Sequence, residues 1–223
     1  ILLDQPEVKA QKPLQFFLWI RDARQLPAHL LDEEIHAVFK GNDLLDRVHL
    51  VIVDDCSVDD TVDTVARVAA TLPELSVEVL RLSSNRGNQS AMAYGVRQLL
   101  PHLPNAFLLT FDADGEDDLT RLPELVRMLE EDPTRMVFVY RDGRKERWLI
   151  RVFYVGYRFM YRWLTGQRLI PCNMMAIPGR MISAIVGSPL LPLHFSYPLL
   201  RLRLPHRGLP AARRPRYAGR STQ

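Results

Sequence analysis

Two clusters of acidic side chains stand directly after short apolar runs in this 223-residue chain. The first cluster is residues 54–57, Asp-Asp-Cys-Ser, after an apolar run at 49–53, and the second is residues 112–116, Asp-Ala-Asp-Gly-Glu, after a run at 106–111. Carboxylates two positions apart can converge on one hard cation. Several carboxylates packed together without a counter-charge repel one another and lose solvation, and a cation with a bound diphosphate removes that cost. The pattern predicts a site for a divalent cation and a phosphorylated ligand, with a solvated acidic turn as the simpler alternative.

The elements that position these clusters can be read from the alternation of apolar runs and helical spacing. The predicted strands are 14–20, 49–53, 77–82, 106–111 and 136–139. The predicted helices are 28–40, 61–72, 89–100 and 122–131. Buried strands that alternate with helices predict a mostly parallel, Rossmann-like α/β sheet flanked by helices. Ligands of such sheets bind beyond the carboxyl ends of the strands, where both acidic clusters fall.

Charge divides the chain into two unlike parts. Residues 1–140 have 13 Lys and Arg against 24 Asp and Glu, a net of −11, and residues 141–223 have 16 against two, a net of +14. Fifteen of those 16 are Arg, which binds phosphate through two parallel hydrogen bonds. The basic part therefore favours phosphate, nucleic acid or an anionic membrane surface as a partner, the alternative being two solvated faces of unlike sign.

Composition sets the broad class of the protein. With 47% hydrophobic and 25% charged residues, the chain is typical of a globular domain, which excludes fibrous and disordered classes. Two cysteines are too few for a disulfide scaffold and favour a reducing compartment. No apolar run reaches the roughly 18 residues of a membrane-spanning helix. The chain begins at Ile1 without Met, so we expect that a membrane anchor could lie outside it.

An aromatic and basic segment at 147–164 predicts a helix. Arg147 and Arg151 are four residues apart, as are Arg158 and Arg162, and aromatic side chains fill much of the rest. Such a helix can lie in a membrane interface. Equally, it can be a helix of the domain whose aromatic side chains are core and whose Arg side chains are solvated.

Three motifs, in order and spacing, resemble the family-two glycosyltransferases with the GT-A fold. VIVDDCSVDDT is similar to their VVDDGS-x-D-x-T signature, SSNRGNQSAMAYG to N-x-G-x-x-x-A-x-x-x-G, and FDADGEDD to their Asp-x-Asp metal motif. RYAGRST, near the basic end, resembles an R-x-x-G-x-S segment of the polyprenyl (dolichyl)-phosphate sugar transferase branch. This resemblance implies a GT-A-like sheet that binds a nucleotide-diphosphate sugar, with a basic helical C-terminal part.

The resemblance also assigns residues. It implies nucleotide binding by Asp54, Asp55, Arg86 and Asp112. It implies a Mg²⁺ or Mn²⁺ site formed by Asp112, Asp114 and Glu116. Our expected catalytic set is Asp112, Asp114, Arg141, Arg144 and Arg147. The chain departs from the family pattern at 20–24 after the first strand, which leaves the nucleotide open, and at Cys56, where the family usually has Gly.

The acceptor is predicted from an absence in the sequence. Transfer to a hydroxyl needs a general base, and no carboxylate follows Glu146. A phosphate oxygen is already ionised and needs only positioning and positive charge. The side chains expected to supply that charge are Arg144, Lys145, Arg147 and Arg216. We therefore predict metal-assisted, inverting transfer to a polyprenyl phosphate, by a peripheral protein on the cytoplasmic side of an anionic membrane.

Two alternatives remain open. One is a glycan-modifying transferase with a hydroxyl acceptor, whose base would be Asp117, Asp118 or Glu146. The other is a non-catalytic GT-A-like binding module; nucleic acid is not expected as its partner because the acidic part would repel it.

We expect one domain with four regions. They are a leader at 1–13, a nucleotide-sugar and metal-binding α/β part at 14–140, an acceptor- and membrane-facing part at 141–204, and a basic tail, mobile or ordered by a partner, at 205–223.

Overall fold

A computed structural model describes residues 14–21, 36, 38, 48–112, 117–142, 156, 159–160, 162–163 and 174–212. Within these residues seven strands form one sheet. They are β1 (Leu14–Arg21), β2 (Val48–Asp54), β3 (Ser76–Arg81), β4 (Ala106–Asp112), β5 (Met136–Asp142), β6 (Met175–Pro178) and β7 (His206–Ala212). The order across the sheet is β3-β2-β1-β4-β6-β5-β7. Only β6 runs antiparallel to its neighbours among these strands, which confirms the mostly parallel sheet.

Helices cover both faces of the sheet. The described helices are α1 (Thr61–Thr71), α2 (Asn88–Leu99), α3 (Leu122–Glu131), α4 (Gly179–Ile182) and α5 (Ser196–Arg201). Each of the first three buries one face, which is apolar in α2 and α3 and combines Thr61 and Thr64 with Val65 and Val68 in α1. His36 and Val38, inside the helix predicted at 28–40, are helical. No helix of the described part of the chain is long and apolar enough to cross a membrane.

Alternation along the strands separates two cores. Leu50 and Ile52 of β2 pack in the cluster that includes side chains of α1 and α3. Val51 and Val53 pack in the opposite cluster, with side chains of α2, α4 and α5. Because successive side chains of a strand point to opposite faces, a β2 that is buried at every position except the half-buried His49 requires helices on both sides. This three-layer arrangement fixes the carboxyl ends of the parallel strands along one edge.

The prediction of a tail from residue 205 that is mobile or ordered by a partner is wrong for His206–Ala212, which form β7 beside β5 of the same chain. β7 is the last strand in the order of the sheet and therefore an edge strand. Its side chains Leu209 and Ala211 are buried, whereas Gly208 and Pro210 interrupt the apolar pattern of the sequence. Pro210 fits there because an edge strand need not donate every backbone N–H. Residues 213–223 lie outside the described part of the chain.

Candidate active site

The strand register brings the first residue of each acidic cluster to one edge of the sheet. Asp54, the last residue of β2, pairs with Arg21, the last residue of β1. Asp112 ends β4 on the other side of β1 and pairs with Ile20. Neighbouring strands lie about 4.8 Å apart, so the backbones of β2 and β4 are separated by about 10 Å. A cleft that spans β1 would therefore be acidic on both sides.

Among the described carboxylates of this edge, Asp55 is the most completely bonded. It is buried, Oδ1 accepts the backbone N–H of Arg86 at 2.6 Å, and Oδ2 accepts that of Gly87 at 2.7 Å. The side chain of Asn85 donates to the carbonyl oxygen of Asp55 at 3.3 Å. Hydrogen bonds to an ionised acceptor are stronger than neutral ones. Asp55 therefore fixes the loop between β3 and α2 against the end of β2.

Asp54 is also buried, and its two oxygens are unequal. Oδ1 accepts the backbone N–H of Ser57 at 3.0 Å, whereas Oδ2 has no hydrogen-bond partner among the described residues and lies 3.5 Å from Nε of Arg81. Arg81 also donates from Nη2 to the carbonyl oxygen of Ser57 at 3.1 Å. Arg81 thereby clamps the 54–57 loop from β3 and partly balances the buried charge of Asp54.

Two residues of these loops have backbone conformations that favour glycine. Gly87 has φ +81° and caps α2, and a Cβ built there meets nothing within 4 Å, so its requirement is conformational. Cys56 has φ +61° although it carries a side chain. This is the position where the resembling family usually has Gly, and the structure gives the physical reason for that usage. Cys56 is a free thiol and is half-buried.

The profile of the family described as glycosyl transferase family 2 matches residues 28–183, more than two thirds of the chain. The chain belongs to glycosyl transferase family 2. The matched range contains the strand ends and loops that hold the acidic edge.

Two solved structures show that this family-2 chain has the GT-A-like fold of its class. The mannosyltransferase PcManGT of Pyrobaculum calidifontis superposes with a TM-score of 0.61 at 19% identity, covering 89% of this chain and 55% of the other. Glucosyl-3-phosphoglycerate synthase of Mycobacterium tuberculosis gives 0.59 at 15% identity, covering 93% and 73%. The chain thus spans about half of the length of the mannosyltransferase. No curated protein matches the chain in sequence.

The predicted metal set is only partly described. The backbone of Asp112 ends β4, while Asp114 and Glu116 lie outside the described residues. Among described side chains, no group of three or more His, Cys, Asp and Glu residues could hold a metal ion. The three predicted ligands are all carboxylates, which as hard oxygen donors fit Mg²⁺ or Mn²⁺.

Of the predicted basic residues, two fall in the described part of the chain. Arg86 is exposed, and its Nε donates to the hydroxyl of Ser84 at 3.1 Å. Arg141 lies near the carboxyl end of β5, paired in register with Ala211. Four predicted residues lie outside the described ranges, namely Arg144, Lys145, Arg147 and Arg216.

The carboxylates of the hydroxyl-acceptor alternative lie just beyond β4. Asp117 is buried. Asp118 accepts hydrogen bonds from the backbone N–H of Thr120 at 3.3 Å and from its hydroxyl at 2.6 Å, so it starts the short 3₁₀ turn at Leu119–Arg121. Glu146 lies outside the described residues.

Sequence reasoning missed His194, which the structure places beside α2. The backbone N–H of Phe195 donates to Oε1 of Gln89, in the first turn of α2, at 2.8 Å. Burial lowers the pKa of His194 below its usual value. The one available signal was a histidine inside the mostly apolar segment 189–200, and it belongs to no recognised spacing.

The described residues of the aromatic and basic segment are helical and exposed. Phe159 is 74% exposed and Trp163 77%, and the two are one helical turn apart. Met160 is 49% exposed, and Arg162 is exposed as well. For these residues, packing of the aromatic side chains in a core is wrong, because their side chains face solvent.

Proposed function

We propose that this family-2 domain transfers a sugar from a nucleotide-diphosphate sugar to a phosphate acceptor, a polyprenyl phosphate at a membrane surface. The transfer would be inverting and assisted by a divalent cation. The observation that carries the proposal is the meeting, at one sheet edge, of the buried Asp54–Asp55 loop and the end of β4 at Asp112. The acidic motif that continues from β4 is the one expected to hold the cation.

The nucleotide would bind at the end of β2. Asp54 and Asp55 lie at this edge, and Asp55 positions the 86–87 loop beside it. The exposed guanidinium of Arg86 is free to reach a phosphate, because its hydrogen bond to Ser84 leaves most of its donors available. Asp112 would complete the nucleotide side from β4.

The cation would be held by Asp112, Asp114 and Glu116. When bound, it would offset the negative charge that grows on the diphosphate as the sugar departs. Two proteins of similar fold support this choice: the Pyrobaculum mannosyltransferase was solved with GDP-Man and Mn²⁺, and the mycobacterial synthase with Mn²⁺ and UDP-Glc. We propose that Arg141, Arg144 and Arg147 face the phosphates across the cleft.

A phosphate acceptor agrees with the carboxylates of the chain. None follows Glu146 in the sequence. Of the other candidate bases, Asp118 is engaged with Thr120, and a carboxylate that organises a turn is poorly placed to remove a proton from a sugar. Arg144, Lys145, Arg147 and Arg216 would compensate the charge of a lipid phosphate.

Membrane association is supported by the exposed face of Phe159 and Trp163 beside Arg162. Exposed aromatic side chains next to basic ones are typical of helices that lie in a membrane interface. The net charge of +14 over 141–223 would attract an anionic leaflet. We propose peripheral binding at the cytoplasmic side.

Titration calorimetry tests the enzyme reading against a bare binding module. The protein is titrated with GDP, UDP and ADP in the presence of Mn²⁺ and again in excess EDTA. We expect heat of binding for one nucleotide that disappears with EDTA. Absence of metal-dependent heat with every nucleotide would contradict the proposal and favour the non-catalytic module.

A further inference from the structure

Hydrogen bonds join the 54–57 loop to residues 81–87, which lead from β3 into α2. The backbone N–H of Leu82 donates to the carbonyl oxygen of Asp54 at 2.9 Å, and three donors further along the segment bind Asp55. In each of these bonds the 81–87 segment is the donor. The position of the 54–57 loop therefore depends on donors that come from the end of β3 and from the residues that follow it.

Arg81 adds a charged side chain to these donors. Its register partner is Asp54, at the end of β2. Nε of Arg81 lies 3.5 Å from Oδ2 of Asp54, and Nη2 donates to the carbonyl oxygen of Ser57 at 3.1 Å. One guanidinium group thus contacts both the first and the last residue of the 54–57 loop. The side chain of Arg81 is 59% exposed while that of Asp54 is 0% exposed, so a surface residue supplies the counter-charge for a buried carboxylate.

The 54–57 loop needs an external contact of this kind. Cys56 has φ +61°, a conformation that residues with a side chain disfavour. A buried carboxylate also loses its solvation, which a counter-charge and hydrogen bonds must offset. Oδ1 of Asp54 accepts the N–H of Ser57, whereas Oδ2 has no hydrogen-bond partner among the described residues. Without Arg81, the charge on Oδ2 would favour any shift of the loop that brings this oxygen to water.

We propose that Arg81 is a positioning residue for nucleotide binding, which holds the 54–57 loop in the shape that the nucleotide side of the cleft requires. This inference rests on the proposed function, in which the nucleotide binds at the end of β2. Arg81 acts through Asp54 and Ser57 and does not touch the reacting atoms. Its loss therefore weakens nucleotide binding and leaves the chemical step intact.

Two substitutions of Arg81 and one matched control test this role. Arg81→Met removes the charge and the donors but keeps an unbranched side chain, whereas Arg81→Lys keeps the charge on a single ammonium group. The control is Arg67→Met. Arg67 is 66% exposed and lies 3.6 Å from a carboxylate oxygen of Asp60, whose side chain is itself 62% exposed. The control therefore removes the same groups from an ion pair in which neither partner is buried.

Hydrogen exchange followed by mass spectrometry measures the loop without any ligand. The N–H of Ser57, which donates to Oδ1 of Asp54 at 3.0 Å, should exchange faster in Arg81→Met, while the amides of α3 keep their wild-type protection. Arg81→Lys should be intermediate and Arg67→Met should equal the wild type. Unchanged exchange at Ser57 in Arg81→Met would overturn the proposal. Faster exchange that extends through α3 would overturn it in favour of a general loss of stability.

Nucleotide binding measures the functional consequence. GDP, UDP and ADP are each titrated with Mn²⁺ into the wild type and the variants. For the nucleotide that the wild type binds, we expect Arg81→Met to raise Kd about tenfold, comparable to the loss of one hydrogen bond to a charged group. Arg81→Lys should recover part of that loss. With the matching nucleotide sugar, KM should rise by the same factor while kcat stays that of the wild type. A lower kcat at unchanged KM would overturn the positioning role.

Failure of this inference and failure of the proposed function give different results. Nucleotide binding and sugar transfer that Arg81→Met leaves unchanged would overturn the role of Arg81 alone. Faster exchange at Ser57 in Arg81→Met, together with no binding of any of the three nucleotides by the wild type, would overturn the proposed function and leave Arg81 as the residue that holds the 54–57 loop.

Discussion

The carboxylate of Asp55 accepts the backbone N–H groups of two successive residues, Arg86 at 2.6 Å and Gly87 at 2.7 Å. One buried side chain at the end of β2 thereby positions the loop that begins α2. The loop owes its place to this carboxylate rather than to apolar packing, since Ser84, Asn85 and Arg86 are exposed. Removing the Asp55 carboxylate should therefore also displace the loop that begins α2.

Asp55→Asn should destabilise the fold, because an amide offers one oxygen where the carboxylate offers two, and one of the two backbone N–H groups loses its acceptor. We expect a loss of about 1–3 kcal/mol in the free energy of unfolding. Urea denaturation measures it, with Glu74→Gln as the control because it removes the same charge from an exposed position. Equal stability of the two variants would show that the loop does not depend on Asp55.

Cys56 sits in a conformation that favours glycine, with φ +61°. A side chain in the left-handed region costs about 1–2 kcal/mol. Glycine avoids that cost but loses more conformational entropy on folding, which offsets part of the gain. We therefore expect Cys56→Gly to be neutral or slightly stabilising and Cys56→Val to be clearly destabilising. Thermal denaturation of the three proteins ranks them, and a Val variant as stable as the Gly variant would contradict this backbone conformation.

Acid should weaken the turn that joins α3 to β5. The hydrogen bond from the Thr134 side chain, followed by the Thr134 N–H and by Arg207, lowers the pKa of Asp132 below its usual 3.8, against an opposing effect of burial. Since the folded-state pKa is the lower one, the stabilisation is present above 3.8 and is lost as the pH falls through the folded-state pKa. Asp132→Asn should lower stability at neutral pH and flatten its acid dependence. Unfolding measured from about pH 6 to about pH 2 checks this, and an unchanged acid slope in the variant would contradict it.

Asp114→Ala should abolish sugar transfer while the thermal midpoint stays that of the wild type, because its proposed role is to bind the cation. Glu116→Gln should remain active, since the resembling polyprenyl-phosphate branch has Gln at that position. Turnover assays with Mn²⁺ and with EDTA measure both variants. Full activity of Asp114→Ala, or full turnover in excess EDTA, would exclude the proposed metal site.

Replacing both Phe159 and Trp163 by Ser should reduce flotation with anionic liposomes, because the two exposed side chains supply the apolar face of the helix. Binding of the wild type should weaken as salt rises, since charge attraction is screened. Leu202→Ser is the control, an exposed apolar residue after α5. Equal and negligible flotation of all proteins with anionic and neutral vesicles at low salt would contradict membrane binding by this chain.

Much of the fold was predictable because buried parallel strands read as continuous apolar runs. The run 106–111 predicted β4 to within one residue, and the helix predicted at 122–131 is α3 as observed. β6 and β7 were missed for physical reasons. β6 is four residues long and ends at Pro178, and β7 is an edge strand whose sequence contains Gly208 and Pro210.

The candidate site was predictable only where acidic residues directly follow a recognisable strand. Acidic residues after two strands predicted the edge that Asp54 and Asp112 share. The two hydrogen bonds that Asp55 accepts from Arg86 and Gly87 join residues more than 30 positions apart in the sequence. No local sequence pattern predicts such a contact. His194 was missed for the same reason, since its proximity to α2 arises from a contact 106 residues apart in sequence.

Transfer of labelled sugar to a lipid acceptor is the most direct test of the proposed function. The protein is incubated with each common nucleotide sugar, Mn²⁺ and a short polyprenyl phosphate, and the organic phase is analysed by mass spectrometry. We predict one glycosyl polyprenyl phosphate that is absent with excess EDTA and absent with the Asp114→Ala variant. Formation of product on a glycan hydroxyl acceptor and none on the lipid phosphate, under the same conditions, would contradict the phosphate acceptor.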